Sequence, residues 1–165
     1  MIELNPESPD DWWEIEALFD LCFAPGREAL SSYRLRDDVP AVDGLSLVAR
    51  DAQGILAGAI RFWPVLVGGA PVLLLGPVAV HPTHQGEGLG GVLIRNGLDT
   101  ALRAGWGRVL LVGDESYYGR FGFARLNAVD MPPPTNPERV LGRALIAGAW
   151  DGISGAVTRQ NMGKC

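Results

Sequence analysis

The chain has 165 residues, of which 47% are hydrophobic and 20% are charged, and its formal net charge is −5. This length and composition are typical of one folded domain with a buried core, so residues 1–165 are expected to form a single domain. No apolar run approaches the roughly 20 residues of a membrane helix, and no block of basic residues offers a nucleic-acid surface. We therefore expect neither a membrane span nor a nucleic-acid partner.

The N-terminal residues lack the basic and apolar segments of an export signal. The two cysteines, Cys22 and Cys165, lie far apart in the sequence, and one of them is the last residue. We therefore expect reduced cysteines without a disulfide, and a cytoplasmic location.

The first predicted elements are a short strand at residues 2–4 and a helix that begins at Ser8. Ser8 is a favourable N-cap, and the proline and acidic residues after it are typical of a first helical turn. Apolar residues then recur at near-helical spacing until Pro25, before which the helix is expected to end. A second helix is predicted over residues 27–36. The residues of the first helix expected to be buried are Trp12, Ile15, Leu18, Phe19 and Cys22.

Three strands are predicted next, at residues 45–50, 55–67 and 71–80, joined by tight turns into an antiparallel meander. The third strand is apolar throughout, which is typical of a central strand covered on both faces. Gly76-Pro77 interrupts it, and a proline cannot donate a hydrogen bond within a sheet. The pair therefore predicts a bulge, or a place where a neighbouring strand diverges.

The stretch from Leu73 to Arg95 combines this strand, a glycine-dense turn and a helix predicted over residues 89–104. Glycines let a ligand approach the backbone closely, and the free amides and dipole of a helix N-terminus favour an anion. This order of elements predicts a phosphate or pyrophosphate site. The helical residues expected to pack on the sheet are Leu89, Val92, Leu93 and Leu98.

The glycine loop fits two known patterns. Gly86, Gly88 and Gly91 satisfy G-x-G-x-x-G between a strand and a helix, so a dinucleotide-binding domain is an alternative. Too little βαβ pattern follows the loop to complete such a sheet. Residues 85–90 also fit Q/R-x-x-G-x-G/A, directly after Val-Ala-Val-His-Pro. A Walker loop is excluded, because no Lys-Ser/Thr follows the glycines.

A second motif follows a strand predicted over residues 107–112. Asp114 can cap a short helix, and residues 117–123 read Tyr-Tyr-Gly-Arg-Phe-Gly-Phe. Further strands are predicted at residues 123–129, 141–146 and 153–159. The glycine loop and this second motif, in this order, resemble those of the GNAT N-acetyltransferase superfamily, and of a bacterial branch with a GDxxYYxRFGF sequence. The resemblance covers about residues 45–123.

The resemblance implies an α/β fold in which a central mixed sheet, flanked by helices, is splayed at an acetyl-CoA site. It implies an enzyme that transfers acetyl from acetyl-CoA to a primary amine by direct attack, without a metal. Tyr118 occupies the position of the family's usual tyrosine and would be the general acid for the CoA thiolate. The residues expected to bind the cofactor are Val78, Ala79, Val80, Gln85, Gly86, Glu87, Gly88, Leu89, Gly90, Gly91 and Tyr117.

In this hypothesis the loop amides hold the pyrophosphate, and the backbone of Val78 and Val80 pairs with the pantetheine amides as an added strand would. The general base is not identified by any pattern. His81 and His84 flank the loop, and water can also carry the proton away. Other candidate bases are Glu28, Asp114 and Glu115.

Two further functions are open at this point. The chain could be a CoA-binding sensor or partner module without catalysis, or a transferase of another acyl-CoA. The acceptor is not readable from the sequence: a polyamine, an antibiotic, an amino acid and a protein amine all remain candidates. A homodimer is also open, because dimers are common among similar proteins.

Overall fold

The structure, a computed structural model, describes residues 2–23, 35, 39–42 and 44–159. The strands are β1 (Glu3–Pro6), β2 (Leu47–Arg50), β3 (Leu56–Val67), β4 (Ala70–Val80), β5 (Arg108–Val112), β6 (Ala124–Arg125), β7 (Val129–Asp130), β8 (Val140–Ala144) and β9 (Gly155–Arg159). The helices are α1 (Trp12–Cys22), α2 (Leu89–Arg103) and α3 (Glu115–Tyr118). The helix predicted over residues 27–36 falls outside the described residues, except for Leu35.

The described strands form one mixed sheet in the order β1-β2-β3-β4-β5-β8-β6, with β9 beside the end of β3 and β7 beside β9. Strands β1 to β4 are antiparallel neighbours, which the tight turns predict for β2 to β4, whereas β5 runs parallel to β4. A parallel neighbour needs a crossover, which α2 supplies between the two strands. The predicted α/β fold with a central mixed sheet is confirmed.

A bulge lies in β4 at Gly76-Pro77, as the sequence predicts. Phe62 pairs with Leu75 and Ile60 pairs with Val78, so that Arg61 alone faces Gly76 and Pro77. On the other edge of β4, pairing with β5 is confined to the positions before the bulge, at Leu73 and Leu74. The two central strands therefore separate beyond the bulge.

The sheet buries apolar side chains on both faces. On one face α2 lies close to β3, because Gly97 leaves room for the ring of Phe62; a Cβ at position 97 would stand 2.6 Å from that ring. On the other face α1 packs on β3 and β4. The fully buried side chains on the two faces include Phe19, Ile15, Phe62, Ile60, Leu73, Leu74, Leu93 and Ile94.

Two helical burial predictions are wrong in part. In α1, Trp12 is 45% exposed and Cys22 is only half-buried, whereas the other three predicted residues are buried. In α2, Val92 is 38% exposed. The sheet-facing stripe of α2 passes through small residues that a search for bulky apolar side chains overlooks. Its buried residues are Leu89, Gly91, Leu93, Ile94, Gly97, Leu98 and Ala101.

The strand predicted over residues 123–129 is replaced by two short strands, β6 and β7. Between them the backbone N–H of Leu126 donates to the carbonyl of Val140. The Leu126 side chain lies over Gly142, so closely that a Cβ on that glycine would stand 2.6 Å from it. After Leu126 the chain leaves β8, and β7 pairs with β9 instead, so one continuous strand does not form.

A buried ion cluster lies on the α1 face, opposite the bulge. The Arg61 guanidinium donates to both carboxylate oxygens of Glu7, at 3.0 and 3.1 Å, and to Glu16 at 2.6 Å. It also lies 5.3 Å from the centre of the Phe19 ring. One cation here binds two carboxylates and ties α1 and the end of β1 to the central strand.

We expect Arg61→Ala to lower the free energy of unfolding by about 3–5 kcal/mol, because it removes a buried cation that donates to both oxygens of the Glu7 carboxylate. Arg50→Ala is the matched control, since Arg50 also binds two carboxylates, of Asp11 and Glu14, and its side chain is 22% exposed against 7% for Arg61. Its loss is expected below about 1 kcal/mol. Urea denaturation measures both, and equal losses would contradict this ranking.

Candidate active site

The glycine loop connects β4 to α2 and leaves backbone amides free. Gly86 and Gly88 adopt positive φ values of 86° and 78°, which other residues rarely adopt, and Gly88 is the N-cap of α2. The first helical hydrogen bond runs from the N–H of Val92 to the carbonyl of Gly88, at 3.2 Å. The amides of the residues between them therefore have no acceptor within the helix, which favours an anion here.

The side chains at the start of the loop hold its conformation. Nδ1 of His81 accepts the N–H of Thr83 and lies 2.8 Å from its hydroxyl. Nδ1 of His84 lies 3.0 Å from a carboxylate oxygen of Glu87. The Gln85 amide donates to the carbonyl of Val80 at 3.2 Å. Both histidines and Glu87 are thus engaged with the loop itself.

A groove of about 370 Å³ lies in front of these amides, between α2 and α3. Two arginines and no carboxylate line it, although the chain as a whole is acidic. A Cβ at Gly90 would stand 3.3 Å from the Tyr117 hydroxyl and would narrow the groove. The lining residues are Val80, Gln85, Gly86, Gly88, Leu89, Gly90, Gly91, Arg95, Tyr117, Arg120 and Phe121.

Eight of the eleven predicted cofactor-binding residues therefore line one groove. Val78, Ala79 and Glu87 do not. The side chain of Ala79 lies in the core on the α1 face, and that of Glu87 bonds to His84. The lining residues missed from the sequence are Arg95, Arg120 and Phe121. Helical spacing could have indicated Arg95, which lies four residues after Gly91.

The open edge of β4 lies at the same end of the sheet. The N–H of His81 bonds to β3, so alternation along the strand directs the backbone of Val78 and Val80 away from β3. No described strand pairs with β4 on this edge beyond Leu74. One part of the prediction needs correction: the Val80 carbonyl already accepts from Gln85 and from the Cys22 thiol, at 3.4 Å. The other backbone groups on this edge can accept a new partner.

Tyr117 and Tyr118 take different places. The Tyr117 hydroxyl lies at the groove wall near Gly90. The Tyr118 ring lies over Gly113, the residue that follows β5, where a Cβ would stand 2.5 Å from it. Its ring also makes edge contacts with Tyr117 and Phe123, at centroid distances of 5.0 and 6.1 Å. Tyr118 is therefore half-buried at the end of β5 and, unlike Tyr117, is not among the residues that line the groove.

Burial in this aromatic cluster raises the pKa of Tyr118 to about 12. The neighbouring Tyr117 and Asp114 act in the same direction, whereas Arg139 opposes them. Because burial disfavours the phenolate, the Tyr118 hydroxyl keeps its proton throughout the neutral and moderately alkaline range. It can therefore donate a proton, and it cannot serve as a base.

Absorbance titration of tyrosinate near 295 nm should detect this shift. Of the three tyrosines, we expect one to ionise with a midpoint near pH 12, above the ordinary value of about 10. The step near pH 12 should be missing in Tyr118→Phe and retained in Tyr117→Phe. A Tyr118 step at pH 10 would show that its hydroxyl is well solvated.

The remaining candidate residues make structural contacts. The sequence predicts that Asp114 caps α3, but its carboxylate makes no capping hydrogen bond and pairs with Arg139 instead. The Cys22 thiol donates to Val80, and burial raises its pKa. Within the described residues, no three His, Cys, Asp or Glu side chains converge as metal ligands would. Glu28 and Cys165 lie outside the described residues.

None of the described helices is both long enough and apolar enough to cross a membrane.

Residues 12–123 match the Acetyltransferase (GNAT) family. The uncharacterized N-acetyltransferase YhbS of Escherichia coli K12 is 37% identical over 122 residues, which cover 73% of this chain and 72% of YhbS. The uncharacterized N-acetyltransferase YjhQ of the same strain is 37% identical over 105 residues, which cover 61% of this chain and 58% of YjhQ.

Two solved structures share the fold over nearly the whole chain. The crystal structure of E. coli YhbS in complex with CoA gives a TM-score of 0.84 at 29% identity. The match covers 99% of this chain and 94% of the YhbS chain. The crystal structure of a GNAT family acetyltransferase of Brucella melitensis in complex with acetyl-CoA gives a TM-score of 0.74 at 32% identity. It covers 97% of this chain and 96% of the Brucella chain.

A mixed sheet that opens beside a helix N-terminus with free amides is thus the fold of an N-acetyltransferase. The chain belongs to the acetyltransferase (GNAT) family.

Proposed function

We propose that this N-acetyltransferase uses acetyl-CoA and acetylates a primary amine by direct attack, with Tyr118 as the general acid. The observation that carries the proposal is the groove itself. It joins free helix amides and two arginines to the open edge of β4, with Tyr118 beside the opening. Residues 1–165 would act as one domain, in the cytoplasm, without a metal.

The groove and the adjacent edge of β4 fit two parts of a CoA molecule in chemical terms, the pyrophosphate and the pantetheine arm. The amides of residues 89–91 and the guanidiniums of Arg95 and Arg120 are donors for a pyrophosphate. The backbone of Val78 and the N–H of Val80 can pair with amides of the pantetheine arm. The CoA complex of YhbS and the acetyl-CoA complex of the Brucella protein, which share this fold, support the assignment.

For this reaction the protein must position the amine against the thioester and supply one proton to the departing sulfur. The amine nitrogen bonds to the thioester carbonyl carbon, the carbon–sulfur bond breaks, and the sulfur takes the electron pair. Tyr118 donates its proton to that sulfur, and the amine proton leaves through water. Neither histidine is assigned as the base, since both contact the loop.

Calorimetry with acetyl-CoA, CoA and NADH tests the cofactor. We expect binding of the first two and none of NADH. Gly90→Asp should abolish CoA binding, because its side chain would narrow the groove and repel the pyrophosphate. Gly90→Asn, of the same size without the charge, should bind about tenfold or more tighter than Gly90→Asp, the effect of removing one like charge.

Retention of wild-type affinity in Gly90→Asp would show that the pyrophosphate lies elsewhere. Binding of NADH in place of CoA would restore the dinucleotide hypothesis.

Thiol release across a panel of amines tests the reaction and begins to identify the acceptor. With a responsive amine, Tyr118→Phe should lower kcat by about 10²-fold, the low end of general acid–base catalysis, with CoA affinity nearly unchanged. Tyr117→Phe, on the groove wall, should instead alter KM for acetyl-CoA.

Equal loss of kcat and CoA affinity in Tyr118→Phe would indicate a packing role. CoA binding without release on any amine would favour a sensor module, and release only with a longer acyl-CoA would favour a transferase of that group.

A further inference from the structure

A second groove, of about 480 Å³, continues from the first along α2. The two grooves share Arg95, Arg120 and Phe121, so they form one depression with two parts. The first part contains the glycine loop, and the second lies one to three helical turns farther along α2. The residues that line the second part are Arg95, Leu98, Asp99, Leu102, Arg120, Phe121, Gly122, Arg143 and Leu145.

This second part is electropositive in an acidic protein. Three arginines line it against one carboxylate, Asp99, which also lies 3.7 Å from Arg103 outside the groove. Within the described residues, neither Arg95, Arg120 nor Arg143 forms an ion pair. Three guanidiniums side by side in one groove make a positive field there that favours an anionic ligand.

The guanidiniums are held in place by aromatic rings and backbone carbonyls. Arg95 lies 5.1 Å from the centre of the Phe121 ring, and Arg120 lies 4.7 Å from that of Tyr117. Arg143 donates to the Phe121 carbonyl at 2.9 Å, and Arg120 to the Tyr117 carbonyl at 3.0 Å. Each guanidinium has five N–H donors, so most of them remain free, and little side-chain entropy is lost when a phosphate binds.

We infer that this second groove binds the 3′-phosphate on the ribose of CoA, through Arg95, Arg120 and Arg143. The inference rests on the proposed use of CoA. Arg95 follows the free amides of residues 89–91 by four to six residues, about 6–9 Å along the helix axis, which is a distance that one ribose and an arginine side chain span together. The enzyme should therefore discriminate CoA from its 3′-dephospho form.

Calorimetry with CoA and 3′-dephospho-CoA tests this without knowledge of the acceptor. Wild-type protein should bind dephospho-CoA about 10- to 100-fold more weakly, the usual worth of one or two charge-assisted hydrogen bonds. Arg143→Gln is the decisive variant, because Arg143 lines only the second groove. It should lose about tenfold in affinity for CoA and little for dephospho-CoA. Arg95→Gln, at a residue that lines both grooves, should weaken both ligands, and CoA the more strongly.

Arg125→Gln is the matched control. Arg125 lies on β6, outside both grooves, and pairs loosely with Glu138 at 4.0 Å. We expect unchanged affinity for both ligands. Thermal denaturation of every variant separates lost binding from lost folding.

The outcomes separate the assignment of the 3′-phosphate site from the proposed use of CoA. Equal wild-type affinity for the two ligands would overturn the 3′-phosphate assignment and leave the use of CoA intact. An equal loss of affinity for both ligands in Arg143→Gln would overturn the assignment of Arg143 to the 3′-phosphate and would show that it binds the pyrophosphate instead. Binding of neither ligand by wild-type protein would overturn the proposed function as well.

Discussion

The separation of β4 from β5 is the constraint on which the site depends. The bulge at Gly76-Pro77 changes the register against β3, and pairing with β5 is confined to positions before it. A strand that kept pairing to its end would cover the backbone edge at Val78 and Val80. The opening then sets the place of the glycine loop at the end of β4 and of Tyr118 beyond β5.

Strand separation is costly unless the flanking elements are held firmly, and the structure holds them on both faces. On one face, Gly97 lets α2 approach Phe62 closely enough to bring the N-terminus of α2 to the opening. On the other, Arg61 binds Glu7 and Glu16 directly opposite the bulge, and the Cys22 thiol reaches the Val80 carbonyl. Packing and buried charge thus fix an edge that hydrogen bonds leave open.

The electrostatics of the groove differ from those of the whole protein. The net charge is −5, yet the lining of the loop groove contains arginines and no carboxylate. The one acidic residue of the loop, Glu87, bonds to His84 and does not line the groove. Net charge alone therefore says little about this site, because the field at a groove depends on the side chains and helix ends that face it.

The antiparallel order of β2 to β4, the bulge, the glycine loop and the succession of two motifs could all be predicted from the sequence. Each depends on local chemistry: turn glycines, a proline without an N–H, and apolar runs. Features that depend on distant neighbours emerged only from the folded structure. Trp12 is exposed because the position of α1 on the sheet selects which side of that helix is covered. Val92 is exposed because small residues form part of the buried stripe of α2. Arg143, 48 residues after Arg95, joins it in one groove only because β8 pairs with β5.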